Sequence, residues 1–273
     1  MSSKTDDGPQ GRGKPVPPPE GGDQSWGGPA AGPRSDGPAA GPLLELAGVH
    51  KHFGAHVVLN EVGFRVAPGE IVGLVGPNGS GKTTTINVIS GLLRADAGRV
   101  RFQGHDVNRL PMFKRARAGI NRTFQVPKVF RDMTVRENVE VAARTVHMGA
   151  EGVQEILRDI ELLEVAERSA GSLTVNQQKL LDLGRALATR PKLLLVDEIG
   201  AGLNPAELGS IAALLQRLAA RGIALIVVEH LLDFLNRITS RVIVLGAGRM
   251  LFEGPLEAAS RDPEVVAAFI GAA

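Results

Sequence analysis

The 273-residue sequence contains no cysteine, which excludes disulfide bonds and cysteine-ligated metal sites. It has no apolar run long enough to cross a bilayer, since the longest, such as residues 223–228, have the length of a buried strand. Its amino terminus lacks the apolar segment of a secretory signal. The formal net charge of +2 is too small to indicate nucleic acid as the main partner. We therefore expect any action at a membrane to go through a partner protein.

Residues 1–42 differ in composition from the rest of the chain. They hold 10 of the 34 glycines and 9 of the 17 prolines, with very few aliphatic side chains. Such a segment cannot bury enough apolar surface to offset the entropy lost on ordering, so we predict that it is disordered. The alternative is that it lies upstream of the true start of the protein. Residues 43–273 are predicted to form one folded domain.

From residue 43 onward, short apolar runs alternate with segments of helical period. The runs that predict strands are residues 43–49, 57–66, 71–75, 100–103, 193–196, 223–228 and 242–245. A helix is predicted directly after the third of them, over residues 82–93. Residues 135–166 have helical spacing and few strand signals, which indicates an inserted helical subdomain. Strands that alternate with helices imply an α/β domain with a parallel sheet.

A glycine-rich loop joins the third strand to the helix that follows. Residues 76–83 read Gly-Pro-Asn-Gly-Ser-Gly-Lys-Thr, a pattern whose backbone N–H groups point at phosphate oxygens and whose glycines leave room for them. Lys82 would supply charge to the β- and γ-phosphates and Thr83 a hydroxyl to Mg²⁺, at a helix start that favours anions. A plain glycine turn is the weaker alternative, because a strand precedes the loop and a helix follows it. The predicted ATP-binding residues here are Gly76, Pro77, Asn78, Gly79, Ser80, Gly81, Lys82, Thr83 and Thr84.

Charged side chains also follow two later strands. Asp197 and Glu198 come directly after residues 193–196, at the end of a strand where ligands lie in open α/β sheets. We predict that Asp197 holds Mg²⁺ through water and that Glu198 polarises the attacking water. His230 follows the strand at residues 223–228 and is expected on the γ-phosphate side, although a lone histidine is more often an ordinary surface or core residue.

The order of these motifs resembles that of the nucleotide-binding subunits of ABC transporters. The resemblance runs from about residue 43 to the carboxyl terminus and includes a glutamine loop at Gln125, a signature loop at residues 173–177 and a D-loop at residues 201–204. It implies a P-loop NTPase of the α/β class, with a mostly parallel central sheet, an antiparallel β subdomain and a helical subdomain at about residues 126–190.

The resemblance also implies roles for individual residues. Gln125 would join Thr83 and Asp197 as a ligand of Mg²⁺, and would act in catalysis with Glu198 and the switch residue His230. Phe53 occupies the position of an aromatic side chain that stacks on adenine, while its alternative is a core phenylalanine. Three signature-loop residues would contact the nucleotide of an opposing subunit: Thr174, Asn176 and Gln177.

Within that family the chain is most similar to the ATPases of branched-chain amino acid importers, through phrases at residues 122–125, 133–138, 202–205, 229–230 and 262–266. The expected function is ATP hydrolysis coupled to solute uptake, at the cytoplasmic face of the cell membrane, with permease subunits as partners. Two alternatives stay open: a regulatory subunit with weakened hydrolysis, and an importer of another solute such as urea. A soluble ATPase acting on nucleic acid would require fused domains or a strongly basic stripe, which the sequence lacks.

The signature loop departs from the family pattern. Residues 173–177 read Leu-Thr-Val-Asn-Gln where the family has Leu-Ser-Gly-Gly-Gln, so both glycines are replaced. A side chain at Asn176 is expected to increase the distance between backbone and phosphate. Because the chain's other motifs are intact, we predict a heterodimer with a related ATP-binding subunit that has an intact signature. Ile199 replaces a usual proline after the catalytic glutamate, which is expected to affect loop stiffness.

A basic cluster lies near the glutamine loop and consists of Lys114, Arg115, Arg117, Arg122, Lys128 and Arg131. The favoured interpretation is a solvated face with exposed charged ends. The alternative is a contact with acidic loops of a membrane partner.

Overall fold

The structure is a computed structural model that describes residues 41–270. Nearly all of the segment predicted to be disordered lies outside the described residues. The strands in the described part are β1 (Leu44–Phe53), β2 (His56–Val66), β3 (Ile71–Val75), β4 (Ala97–Phe102), β5 (His105–Asp106), β6 (Ile120–Arg122), β7 (Leu193–Asp197), β8 (Ala224–Val228), β9 (Arg241–Gly246) and β10 (Arg249–Gly254). The helices in that part are α1 (Lys82–Ser90), α2 (Met112–Ala118), α3 (Val135–Ala143), α4 (Ala150–Asp159), α5 (Val175–Leu187), α6 (Pro205–Ala220), α7 (Leu232–Ile238), α8 (Leu256–Ala259) and α9 (Pro263–Ile270).

The central sheet has the strand order β10-β9-β3-β8-β7-β6. Four of its five strand pairs are parallel, and only β10 runs antiparallel, to its hairpin neighbour β9. A smaller sheet of order β2-β1-β4-β5 is antiparallel throughout. Both sheets confirm the predicted fold class. Because β3 lies in the middle of the central sheet, the loop that follows it lies between the ends of β8 and β9.

The apolar runs of the central strands are continuous because both faces of the sheet are covered. Successive residues of β3 alternate between two apolar clusters: Val72 and Leu74 pack on the side of α1 and the small sheet, while Ile71 and Val75 pack on the side of the other helices. The same alternation holds along β7, β8 and β9. The sheet is thereby held rigidly from both sides, which fixes the positions of the loops at its carboxyl edge.

Helices α3, α4 and α5 lie between β6 and β7 in the chain. They pack against one another through apolar side chains that include Val139, Ile156 and Leu181. Thr134 and Glu137 form a capping box at the start of α3. Asn138, which is fully buried, donates to Phe130 O and Thr134 O and accepts from Phe130 N, all within 2.9 Å. The polar contacts join the start of α3 to Phe130, and the apolar contacts hold α5, the helix that begins in the signature loop, against α3 and α4.

Two local predictions need correction. The helix predicted over residues 82–93 ends at Ser90, because Gly91 adopts a left-handed conformation with φ of 80° and terminates it. The three-residue strand β6 was not predicted, since a strand this short gives no periodic signal. No helix in the described part of the chain is long and apolar enough to span a bilayer.

Candidate functional site

The loop between β3 and α1 is shaped by its glycines. Gly76 and Gly81 have φ of 150° and 103°, and a Cβ atom at Gly76 would lie 2.2 Å from Leu245 O. A Cβ at Gly81 would lie 2.6 Å from the side chain of Leu59. Gly79 has space around it but a φ of 78°, so it is required for its conformation. The loop therefore cannot carry side chains at Gly76 and Gly81 without moving β2 or β9.

Polar groups inside this loop fit a bound phosphate. Lys82 Nζ donates to Gly76 O at 2.7 Å and to Pro77 O at 2.9 Å, so the ammonium lies within the curve of the loop. Burial lowers the pKa of Lys82, and the charges of Glu198 and Asp197 oppose this shift. Ser80 Oγ is buried and has no hydrogen-bond partner among the described residues. An unsatisfied hydroxyl beside a buried ammonium, at a helix start, matches the requirements of phosphate oxygens.

The remaining residues of the loop differ in their exposure to solvent. Asn78 and Thr83 are exposed, and Pro77 and Thr84 are partly buried. Thr83 and Thr84 lie in the first turn of α1, immediately after Lys82. Their roles toward nucleotide and Mg²⁺ stay predictions.

Asp197 ends β7 and is almost completely buried. Its side chain is 5% exposed, and Arg122 Nη2 lies 3.5 Å from Asp197 Oδ2. The backbone N–H of Asp197 donates to Thr123 Oγ1 at 3.3 Å. Burial raises the pKa of Asp197, while the charge of Arg122 lowers it. The predicted Mg²⁺ ligand is thus a carboxylate already held by β6.

Three predicted catalytic residues meet at Glu198. Gln125 Nε2 donates to Glu198 Oε2 at 2.7 Å, and His230 Nε2 lies 3.2 Å from Glu198 Oε1. Because Gln125 uses its amide nitrogen here, its amide oxygen remains as a ligand atom for a cation. This amide oxygen, the Asp197 carboxylate and the Thr83 hydroxyl are all hard oxygen donors of the kind that Mg²⁺ prefers. The donor set therefore fits the predicted cation.

The signature-loop residues form contacts within their own chain. Thr174 and Gln177 make a capping box at the start of α5: Gln177 N donates to Thr174 Oγ1 at 3.2 Å, and Thr174 N donates to Gln177 Oε1 at 3.1 Å. Asn176 Nδ2 donates to Glu207 Oε1 at 2.9 Å, at the start of α6. Val175, in place of the first glycine, is 66% exposed. None of the described contacts joins this loop to the P-loop of the same chain.

Phe53 lies at the carboxyl end of β1 and is 50% exposed. Its ring centroid is 5.3 Å from Lys51 Nζ. The alternative of a core phenylalanine is therefore wrong, because half of the side chain is accessible to solvent. Stacking on adenine stays a prediction that this exposure allows.

The interpretation of the basic cluster as one solvated face is wrong for two of its members. Arg115 is 2% exposed and donates to Val88 O at 2.7 Å and Ile89 O at 2.8 Å, the carbonyls at the end of α1. Burial lowers its pKa to about 10. The side chain of Arg122 is 5% exposed and pairs with Asp197. These two arginines form contacts inside the fold, and no local sequence pattern predicts their burial.

Sequence reasoning also missed residues that support the site from a distance. Asp182 on α5 accepts from Phe124 N at 2.9 Å, and so anchors the backbone beside Gln125. Burial raises the pKa of Asp182, and its bond to Phe124 N–H acts against that shift. Lys179 and Glu229 contact the turn after β7. Glu229 directly follows β8, and its place in the sequence does not indicate that its carboxylate accepts from Gly200 N.

Comparison with known proteins gives consistent matches. The family model described as ABC transporter matches residues 59–201. The branched-chain amino acid transport ATP-binding protein BraF of Pseudomonas aeruginosa is 33% identical over 252 residues, covering 85% of this chain and 99% of BraF. The lipopolysaccharide export ATP-binding protein LptB of Acidithiobacillus ferridurans is 34% identical over 233 residues, covering 84% of this chain and 97% of LptB.

Solved structures agree with these matches. The ADP conformation of an ATP-binding cassette from an ABC transporter superimposes with a TM-score of 0.76 and 34% identity, covering 84% of this chain and 99% of that one. A nucleotide-free ATP-binding cassette gives a TM-score of 0.77 with 33% identity and the same coverage.

Proposed function

The chain belongs to the family of ABC transporter ATP-binding proteins, which are ATPases, and from this premise we propose that it drives a membrane importer for branched-chain or other amino acids. ATP hydrolysis by this subunit would be coupled to solute uptake. The observation that carries the catalytic part of the proposal is the meeting of Gln125 and His230 at the Glu198 carboxylate.

Each residue of that group has a separate task in the proposed reaction. Glu198 accepts a proton from the water that attacks the γ-phosphate, because its carboxylate lies at the carboxyl edge of the sheet beside Lys82. Gln125 and His230 hold the two oxygens of this carboxylate and limit its rotation. His230 also presents its ring to the γ-phosphate side of the site.

Binding residues occupy the neighbouring loop. Lys82 and the N–H groups of residues 76–84 hold the phosphates, and Phe53 stacks on the adenine ring. Thr83, Gln125 and Asp197 would hold Mg²⁺, which when bound neutralises phosphate charge. Thr174, Asn176 and Gln177 contact the nucleotide of the opposing subunit.

The amino acid solute is supported by relatives named for branched-chain amino acid transport, including BraF and the LivG protein of Escherichia coli K12. The similarity to LptB, which is named for export, means that overall identity does not separate import from export. The decisive experiment is reconstitution of this chain with candidate permease and solute-binding subunits in proteoliposomes. We expect ATP-dependent uptake of labelled leucine. Uptake of urea without leucine, or transport only in the outward direction, would contradict the proposal.

The proposed partners are permease subunits and a second ATP-binding subunit, in a heterodimer. The chain would then lie at the cytoplasmic face of the cell membrane, bound through the permease. The altered signature loop supports the heterodimer, because Val175 and Asn176 place side chains where the family has glycines. The same loop favours a second candidate, a regulatory nucleotide-binding subunit. The two candidates differ in how Glu198→Gln affects ATP turnover of the chain mixed with an intact partner. Turnover should fall if this chain supplies the general base, and should stay unchanged if the chain is a regulatory subunit.

A further inference from the structure

The turn after β7 carries Glu198 and has an unusual backbone. Glu198 has φ of 49°, in the left-handed region that a residue with a side chain adopts only when its surroundings hold it there. A proline at the next position would push Glu198 toward extended backbone, and Ile199 imposes no such restriction. The contacts that hold residues 198–201 therefore determine where the Glu198 carboxylate points.

Lys179 on α5 contacts the carbonyl side of this turn. Its Nζ donates to Ala201 O at 2.6 Å, to Glu198 O at 3.2 Å and to Ile199 O at 3.4 Å. An ammonium group has three N–H donors, and three carbonyl oxygens of the turn lie within reach of them. One side chain therefore contacts three of the four carbonyl oxygens of residues 198–201.

Glu229, the residue before His230, contacts the N–H side of the same turn. Its Oε1 accepts from Gly200 N at 2.6 Å, and the side chain is buried. Burial raises the pKa of Glu229 and lowers the pKa of Lys179, and the opposite charges of the two groups act against both shifts. The turn is therefore held from both sides by oppositely charged groups.

We propose that Lys179 is a positioning residue for the general base: it fixes residues 198–201 so that the Glu198 carboxylate stays between Gln125 and His230. Lys179 lies on α5, the helix capped by Thr174, so the same helix joins the signature loop to the turn of the general base. The inference rests on the proposed role of Glu198 and adds a residue outside the known motifs to it.

The test compares the full-length chain with Lys179→Met, which keeps most of the side-chain volume and removes the donors. The concentration of functional ATP-binding sites is measured by titration with a non-hydrolysable ATP analogue, and kcat is expressed per ATP-binding site. We expect Lys179→Met to lower kcat by about tenfold or more while KM for ATP and affinity for the analogue stay nearly unchanged, because the base is displaced and the P-loop is not. Lys179→Arg keeps the charge and the donors and should recover most of the loss. Lys192→Met, at an exposed lysine that contacts Gln103, is the matched control.

Lys179→Gln is the second variant if Lys179→Met does not fold, and it should also lower kcat per site. A folded variant that retains kcat within about twofold overturns the inference, and so does a loss that Lys179→Arg fails to relieve. Glu198→Gln is measured in parallel. Normal turnover by Glu198→Gln refutes the general-base assignment itself, whereas loss in Glu198→Gln with normal turnover in Lys179→Met refutes only the positioning role.

Discussion

The guanidinium of Arg122 and the carboxylate of Asp197 form a buried ion pair, with Nη2 and Oδ2 3.5 Å apart and both side chains 5% exposed. Arg122 also donates from Nη1 to Asn87 Oδ1 at 2.5 Å and lies over the ring of Phe124 at 4.6 Å. The arginine therefore connects α1, the carboxylate at the end of β7 and the backbone that leads to Gln125. Residues from three segments that are far apart in sequence therefore contact one another through this arginine.

Removal of this arginine should be strongly destabilising. Arg122→Met leaves the Asp197 carboxylate buried without its partner, and the free energy of unfolding should fall by about 3–5 kcal/mol. Urea denaturation measures the change, and Arg94→Met, at an exposed arginine, is the control. The double variant Arg122→Met, Asp197→Asn should lose less than the sum of the single variants, because the unpaired charge is gone. Additive losses would contradict a direct interaction between the two side chains.

Lys82 and Glu198 should separate binding from hydrolysis. Lys82→Ala removes the buried ammonium from the P-loop, and we expect loss of tight ATP binding in equilibrium titrations. Glu198→Gln keeps the shape of the side chain and removes the proton acceptor, so binding should persist while hydrolysis slows by roughly 10²-fold or more. Hydrolysis at the normal rate by Glu198→Gln would refute its assignment as the general base.

Glu229 should make stability depend on pH. Burial raises its pKa above the ordinary value of 4.5, and its bonds to the N–H groups of Gly200 and His230 oppose this only in part. A carboxyl whose pKa is higher in the folded state binds more protons there than in the unfolded chain, so stability falls as pH rises from about 4.5 to the raised pKa.

Glu229→Gln removes this titration and keeps an oxygen that can accept from Gly200 N. The decrease in unfolding free energy over that pH interval should therefore be smaller in Glu229→Gln, as measured by urea denaturation at a series of pH values. Glu164→Gln, at an exposed carboxylate, controls for loss of one charge. Identical pH slopes for Glu229→Gln and the unmodified chain would refute the prediction.

Sequence alone predicts those structural features that depend on residues adjacent in the chain. The glycines at 76, 79 and 81 and the apolar runs around them predict the P-loop, because both their conformations and their burial follow from local chemistry. The Thr-x-x-Gln phrase of residues 174–177 also contains a capping-box signal that sequence reasoning left unused.

Sequence alone does not predict the burial and contacts of a charged residue whose partner is distant along the chain. Arg122 looks like part of a basic surface until β6 is placed beside β7, and Lys179 looks like an ordinary helix lysine until α5 is placed against residues 198–201. Residue type does not distinguish an exposed charge from a buried or partly buried one whose partner is distant along the chain. The same limit applies to Asn176, whose partner Glu207 lies in the first turn of α6.

The altered signature loop should make the two sites of a dimer unequal. This chain has the full P-loop pattern and Glu198, while its signature loop, which would face the nucleotide of the opposing subunit, carries Val175 and Asn176 in place of glycines. A homodimer would pair a complete site with an altered loop twice and hydrolyse ATP slowly. A heterodimer with a related subunit that has an intact Leu-Ser-Gly-Gly-Gln loop would contain one competent site built on this chain's catalytic residues.

Asn176→Gly and Asn176→Ala together test this asymmetry. Both remove the bond from the amide to Glu207 Oε1, but only glycine removes the Cβ atom from the loop that we propose faces the phosphate of the opposing nucleotide. We expect Asn176→Gly to raise ATP turnover of the chain alone several-fold, and Asn176→Ala to raise it much less. ATP turnover of the mixture with an intact partner should change little on either substitution, since the competent site of the heterodimer does not use this loop. Equal effects of the two substitutions would assign the change to the Glu207 contact. If the unmodified chain alone hydrolyses ATP as fast as the mixture, the asymmetric heterodimer is wrong, because the altered loop then supports hydrolysis as well as the intact one.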